Sequence, residues 1–346
     1  MITIAVDAMG GDHAPDAIVK GIAEAAQENE ARYILVGDSG RIEPLARHCG
    51  IPPDRFEILH TPDSVSMKES PGEALKEKPG ASIALTAKIL AEDKADALLS
   101  AGNTGAVILA AKQYIPMIEG VERSALATVY PTMNVTGSGP DFSSILDVGA
   151  TLHCDARHLV HFALMGHNYM KNVLGVSDPR IGLLNIGTEP SKGGHVLTQA
   201  YKSLSEIPAI HFAGNIEGRD IPRGVVDVVV CEGMIGNILI KMMEGAAESL
   251  IELGKYAYKK KLVYKMGLAL LSSGIKKVRK HTDYAEYGGA PIVGFHKLCI
   301  KAHGRSSAKA VRKAVSVAVS SVENELCKKI KDSVRDANRY LTFENE

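Results

Sequence analysis

The chain has 346 residues, 45% of them hydrophobic and 23% charged, and its 40 Lys and Arg balance 40 Asp and Glu. This length builds a sizeable core without metal or disulfide staples. Balanced charge, no Trp and only 6 Phe exclude the basic footprint and the stacking platforms of a nucleic-acid binder.

Taken in order, the sequence predicts a strand at 2–6, a helix at 15–28, a strand at 33–36, a helix at 82–93, a strand at 97–100 and a helix at 104–114. Strands at 125–130 and 144–148, a helix at 155–174, a strand at 180–186, a helix at 194–204 and strands at 209–212 and 225–231 follow. Near-continuous apolar strands alternating with amphipathic helices predict an α/β fold with a largely parallel sheet covered on both faces. The expectation is a single catalytic domain over 1–346. The N-terminus enters a strand directly, so no signal peptide is expected, and no apolar run reaches the ~18 residues of a spanning helix. Cys49, Cys154, Cys231, Cys299 and Cys327 are odd in number and form no CxxC pair. They read as reduced thiols, which places the protein in the cytoplasm.

In sheets of this kind ligands sit beyond the carboxyl ends of the strands, and five strand-end loops are rich in glycine and polar residues. They are 7–13 (DAMGGDH), 100–105 (SAGNTG), 185–195 (NIGTEPSKGGH), 214–219 (GNIEGR) and 231–237 (CEGMIGN). Any one is readily a tight turn. Five at strand ends on one sheet edge point to a polar ligand, because glycine admits close approach and bare amides at helix N-termini suit phosphate. The GxxxxGK[ST] phosphate loop, the GxGxxG nicotinamide fingerprint and the GxSxG elbow are all absent from the sequence.

Residues 255–280 (KYAYKKKLVYKMGLALLSSGIKKVRK) hold no acid. They form the centre of a basic amphipathic segment at about 244–282, expected to protrude. Apolar residues Leu262, Leu268 and Leu271 lie between Lys259, Lys260, Lys261 on one side and Lys276, Lys277 on the other. Such a segment suits the interface of an anionic bilayer; a helical hairpin at a subunit interface is the alternative, and both can hold in a dimer. His153, Cys154, His158 and His161 superficially suggest zinc. A helix face is favoured instead, and no metal or cofactor is expected.

The loops taken together, with 183–193 (LLNIGTEPSKG), 227–241 (DVVVCEGMIGNILIK) and 287–294 (YGGAPIVG), resemble the bacterial PlsX-type phosphate acyltransferases from residue 2 to about 320. Thr151 and Glu232 stand where the family pattern has Asn and Asp, and 295–297 (FHK) interrupts a usually Gly-rich connection. The resemblance implies a three-layer α/β/α fold similar to phosphotransacetylases and isocitrate-type dehydrogenases, in a homodimer. It implies the reaction of fatty acyl-[acyl carrier protein] with inorganic phosphate to give acyl phosphate and free carrier protein, in phospholipid biosynthesis. A membrane-bound glycerol-3-phosphate acyltransferase would then take the acyl group, so the protein is expected peripherally at the membrane surface.

Phosphate is already a nucleophile at neutral pH, and a thiol with a pKa of about 8.5 is a tolerable leaving group. The enzyme therefore needs positioning and charge stabilisation more than a covalent nucleophile. Gly10, Gly11, Asn103 and Thr104 are candidate donors, and Lys192 a candidate charge for phosphate or oxyanion. Asn215 and Asn237 can orient the substrate, with Asn185, Gly187, Glu189, Glu217 and Lys241 completing the binding set. Asp7 and Asp12 either fix their loops or bind a cation. His303 can bind phosphate or protonate the departing thiol, or merely cap a helix. An acyl-enzyme on Cys231 is the rival mechanism. The rival functions are a phosphotransacetylase acting on short acyl-coenzyme A and a non-catalytic membrane-associated scaffold for lipid synthesis.

Overall fold

The computed structural model describes residues 1–135, 137, 139–260, 263–265, 267, 271 and 288–341. The first half opens with β1 (Thr3–Asp7), α1 (Asp16–Glu28), β2 (Arg32–Gly37), α2 (Ser39–His48), β3 (Phe56–His60), α3 (Pro71–Glu77), α4 (Ser82–Ala91), β4 (Ala97–Ser100), α5 (Thr104–Tyr114) and β5 (Ala125–Leu126). Next come β6 (Thr128–Pro131), β7 (Phe142–Leu146), α6 (Ala156–Asn172), β8 (Arg180–Leu184), α7 (Gly194–Ser205), β9 (His211–Ile216), β10 (Val228–Val230) and α8 (Gly233–Lys260). The chain then returns through β11 (Ala290–Val293), β12 (Leu298–Lys301), α9 (Ala308–Glu323) and α10 (Leu326–Ala337).

Two sheets result. One has seven strands in the order β3-β2-β1-β4-β12-β11-β5, the other five in the order β6-β7-β10-β8-β9. Strands β3, β2, β1, β4 and β12 run parallel, as do β7, β10, β8 and β9. The run expected as one strand at 125–130 is divided because its partners change midway. Its first part pairs with β11, Ala127 N donates to Pro291 O at 3.0 Å, and its second part pairs with β7.

Successive strand residues point to opposite faces, and both faces are apolar. Ile4, Val6, Leu99 and Ile300 pack with Ile18 and Ile22 of α1 and with Val311 and Val315 of α9. Ala5, Leu98 and Cys299 pack on the other face with Ala87 and Leu90 of α4 and with Val107 and Ala110 of α5. Each of these clusters continues into the five-stranded sheet, through Val228 and Val230 on one face and Ile145 and Val229 on the other. Full burial of side chains of this size contributes about 1.5–3 kcal/mol each, so the two sheets are tied through shared apolar packing.

The histidine-bearing helix α6 lies against β7, β10, α7 and α10. Its start is a capping box: Asp155 N donates to His158 Nδ1 at 3.1 Å, and His158 N donates to the Asp155 carboxylate at 2.9 Å. Glu122, Asp155 and His158 bring donor atoms within 4.8 Å of one another. That cluster is committed to the cap and to Arg157, whose guanidinium holds Glu122 at 3.1 Å.

The interruption at 295–297 falls in the turn before β12, at the opposite end of that strand from Lys301. There Phe295 is buried, His296 N donates to Pro116 O at 2.9 Å and Lys297 pairs with Asp93. It therefore lies away from the Lys301 end of the sheet.

Helix α8, about 42 Å long at 1.5 Å per residue, is buried only near its start. Beyond Gly236 none of its described side chains is buried. Lys259 is exposed, Lys260 ends the helix, and Leu271 is exposed. Lys261, Leu262, Leu268, Lys276 and Lys277 of the basic segment lie outside the described residues. Among the described residues, no helix is long and apolar enough to cross a membrane.

Candidate active site

At the carboxyl end of the seven-stranded sheet, Asp7, Ser100 and Lys301 stand in one register row across β1, β4 and β12. Adjacent strands in register aim such side chains to one face. Asp7 is buried and accepts from Ser82 Oγ at 2.6 Å and Ser100 Oγ at 2.7 Å. Burial raises its pKa against the pull of these hydroxyls and of Lys301. Its carboxylate thus fixes the β1 tip to β4 and α4.

The β1 loop then folds over the β4 loop. A Cβ on Gly10 would lie 2.7 Å from Gly102 N and 2.4 Å from Asp7 Oδ2, so only glycine fits. Gly11 takes a φ of +109°, and Asp12 N donates to Gly304 O at 2.8 Å, joining the β1 tip to the loop after β12. Asn103 caps α5 by accepting from Ala106 N at 3.3 Å and donates to Met67 O and Glu69 O. Its side chain holds the loop, while Thr104 opens the helix just after the β4 tip.

The second set of tips belongs to the five-stranded sheet. Asn185 is buried, donates to Lys192 O at 3.0 Å and accepts from Ile186 N at 2.8 Å. Asn215 donates to Glu189 O at 2.8 Å, and its buried Oδ1 has no partner among the described residues. These two amides curl 185–193 into a ring over the β8 and β9 tips. The Lys192 stem lies against Gly187, where a Cβ would meet Lys192 Cγ at 3.3 Å, and the lysine is exposed. Glu217 is drawn to Arg219 at 2.6 Å.

Between β7 and β10, Asp147 gathers the amides of Leu126, Gly149, Ala150 and Thr151. Thr151 Oγ1 donates to Asp147 at 2.8 Å and accepts from Gly233 N at 3.1 Å. The hydroxyl at this variant position thereby tethers the start of α8. A Cβ on Gly236 would fall 1.9 Å from Asp147 O, so α8 can begin here only with glycine at that position.

Helix α8 starts from the second set of tips. Asn237 reaches the Gly149 turn, where its Cβ is 3.7 Å from the position of a Cβ on that glycine. One turn later Lys241 pairs with Glu244 at 2.8 Å. The charges of both, with those of Lys301 and Arg305 on its own segment, act on the His303 imidazole. His303 sits at the rim. Desolvation, against the opposing Glu244 charge and with the help of the lysines, holds its imidazole below the usual range. A neutral imidazole suits a hydrogen-bond partner, or a base for phosphate, better than an acid for a departing thiolate.

Cys231 is fully buried, and its thiol contacts Asp147 O at 3.4 Å. Burial, with the nearby Asp147, Cys154 and Glu232, pushes it far from the thiolate form. This environment opposes a nucleophilic role. Sequence reasoning missed Lys301, a lysine inside a short apolar strand; its charge within LCIK (298–301) was the available signal.

The arrangement is two sets of strand-end amides, each with a lysine, Lys301 beside the β1 and β4 tips and Lys192 on the 185–193 ring. The chain also matches, over residues 2–329, the family described as Fatty acid synthesis protein. It is 39% identical over 340 residues to the phosphate acyltransferase of Thermoanaerobacter pseudethanolicus, covering 98% of this chain and 99% of the relative. The phosphate acyltransferase of Dictyoglomus turgidum is 41% identical over 327 residues, covering 94% and 96%. Among solved structures, a Streptococcus pyogenes phosphotransacetylase superposes with a TM-score of 0.62 at 16% identity, covering 93% of this chain and 94% of its own. A branched-chain phosphotransacylase of Enterococcus faecalis gives 0.57 at 15% identity, covering 93% and 99%. These structural likenesses establish the α/β/α fold, and the near-complete match to the curated relatives establishes that the chain belongs to the PlsX-type phosphate acyltransferase family.

Proposed function

We propose that the enzyme transfers a fatty acyl group from its acyl carrier protein thioester to inorganic phosphate in the cleft between the two banks of strand tips. A phosphate oxygen bonds to the thioester carbonyl carbon, the C–S bond breaks and sulfur leaves with the electron pair. The proton of hydrogen phosphate ends on the thiol. Lys192 and the 185–193 ring stabilise the oxyanion, Asn215 and Asn237 orient the thioester, and the β1 and β4 loops receive phosphate. The observation that carries this reading is the pair of glycine- and amide-rich strand-end sets, the close passage of Gly10 on Gly102 and the ring held by Asn185 and Asn215.

A long acyl chain is favoured over acetyl-coenzyme A because apolar residues are exposed beside the polar ones. Ile186 follows Asn185, Ile238 follows Asn237 and Met242 follows Lys241, and Ile186 is 81% exposed. The test measures phosphate-dependent release of carrier thiol from long-chain acyl carrier protein against acetyl-coenzyme A. Wild type is expected to prefer the long-chain substrate, and Lys192→Ala to lower kcat about 100-fold or more. A preference for acetyl-coenzyme A supports the short-chain alternative, no release at all supports the scaffold, and unchanged kcat in a folded Lys192→Ala protein removes that lysine.

The assembly belongs to the same reading. Leu250, Ile251, Leu253 and Tyr256 are exposed on α8, and an apolar helix face of this kind needs cover. A second copy of the chain supplies it, carrying the basic segment of each subunit to one membrane-facing tip. There the product can pass to a membrane-bound glycerol-3-phosphate acyltransferase.

A further inference from the structure

We propose that the buried Lys301 is the cation of a phosphate subsite at the tips of β1, β4 and β12, so that inorganic phosphate enters the reaction from this bank of strand tips. The inference rests on the transferase reading above and names the side chain that holds its second substrate.

Lysine is rarely buried without a purpose that offsets the desolvation of its charge. Lys301 is 6% exposed, in a strand whose other residues, Leu298, Cys299 and Ile300, are core. Its register partner Ser100 is spent on Asp7, and Asp7 is already satisfied by two hydroxyls. The Lys301 ammonium donates to the carbonyl of Ala302. An ammonium carries three donors, and no further hydrogen bond from it is found among the described residues. The groups acting on it are Asp7 and Asp12, both on the β1 side, and His303 two residues on. Neither carboxylate is hydrogen-bonded to it, so it is not consumed in a closed ion pair.

The surroundings suit a tetrahedral dianion. The Gly10–Gly11 turn and the Gly102 loop bring backbone together, with the Asp7 carboxylate and the Ser100 hydroxyl against them, and α5 and α9 both start at this end of the sheet. Amides at helix starts with a lysine beside them bind phosphate in water-poor sites. Burial lowers the Lys301 pKa to about 8, against the pull of Asp7 and Asp12. The residue is therefore charged at neutral pH and loses its charge just above it. A bound dianion would hold that proton. Lys192, on the other bank, is then left for the acyl carbonyl, which divides the two lysines between the two substrates.

The experiment separates the two substrates. Lys301→Met and Lys301→Arg are assayed for the KM of phosphate and the KM of the acyl carrier thioester. Phosphate-dependent rise in melting temperature is recorded without thioester. In Lys301→Met the phosphate KM is expected to rise about 10- to 100-fold, with the thioester KM within about twofold and the thermal shift by phosphate lost. Lys301→Arg is expected to recover part of both. A Lys301→Met protein with wild-type phosphate KM and wild-type thermal shift overturns the proposal. A thermal shift absent from wild type overturns it too, and does so even where turnover is intact. If neither variant folds, the wild-type enzyme decides. Its phosphate KM must climb above about pH 8 as Lys301 deprotonates, a range in which His303 is already neutral and phosphate fully dianionic; a flat profile there is the contrary result.

Discussion

His161 shows how one residue type is put to different uses on one helix. His158 caps α6, whereas both ring nitrogens of His161 are buried without a partner among the described residues. Burial, with the His158 and Arg157 charges, lowers its pKa from 6.5 to about 4. The unfolded chain binds this proton more readily, so the stability His161 allows is present above pH 6.5 and is lost as pH falls towards 4. The full effect is on the order of 3 kcal/mol. Urea denaturation of wild type against His161→Leu should show the wild-type midpoint falling more steeply between these pH values. Parallel profiles would assign the acid sensitivity to other groups. Lys301 is the counterpart at the strand tips: a buried group that costs stability while it stays charged and is retained for chemistry.

At the scale of elements, α8 is decisive because it serves two surfaces. Its first turn is pinned by Thr151 and by the close passage at Gly236, which sets Asn237 against the Gly149 turn. Its remainder offers Leu250 and Leu253 to the exterior. Sedimentation of Leu250→Ser/Leu253→Ser should shift the protein from dimer to monomer at micromolar concentration. A wild-type monomer would remove the subunit interface from the account. Liposome flotation tests the tip separately. Neutralising Lys259, Lys260, Lys261, Lys276 and Lys277 should release the protein from anionic vesicles, and retained binding would contradict a membrane-facing segment. Both variants should leave Asn237 and Lys241 in place, so loss of turnover in solution would show that the dimer also shapes the cleft.

For the whole molecule, the sequence conveyed the strand-end loops well because glycine, asparagine and short apolar runs leave strong local signals. It conveyed less where pairing is non-local. The division of 125–130 between two sheets depends on Pro291, over 160 residues away in sequence, taking the Ala127 amide. Strands β11 and β12 are four residues each, the first inside the 287–294 motif, and neither stands among the predicted strands. Likewise the polar set was legible by type but not by duty. Asn103 and Asp7 hold loops, and Asn185 and Asn215 shape a ring, because hydrogen-bond partners such as Met67 and Glu189 are set by tertiary proximity. Lys301 was hidden by its apolar neighbours until the register row of Asp7, Ser100 and Lys301 made its position plain.

Two banks of strand tips, one for each substrate, must open into the same cleft for the transfer to occur. The most direct measurement is a crystal structure with phosphate and an uncleavable acyl thioester analogue bound together. Phosphate should lie within hydrogen-bond distance of Lys301 Nζ and the Gly10–Gly11 turn, with the thioester carbonyl between it and Lys192. Phosphate and thioester held in cavities that do not communicate, or phosphate bound away from both lysines, would contradict the account.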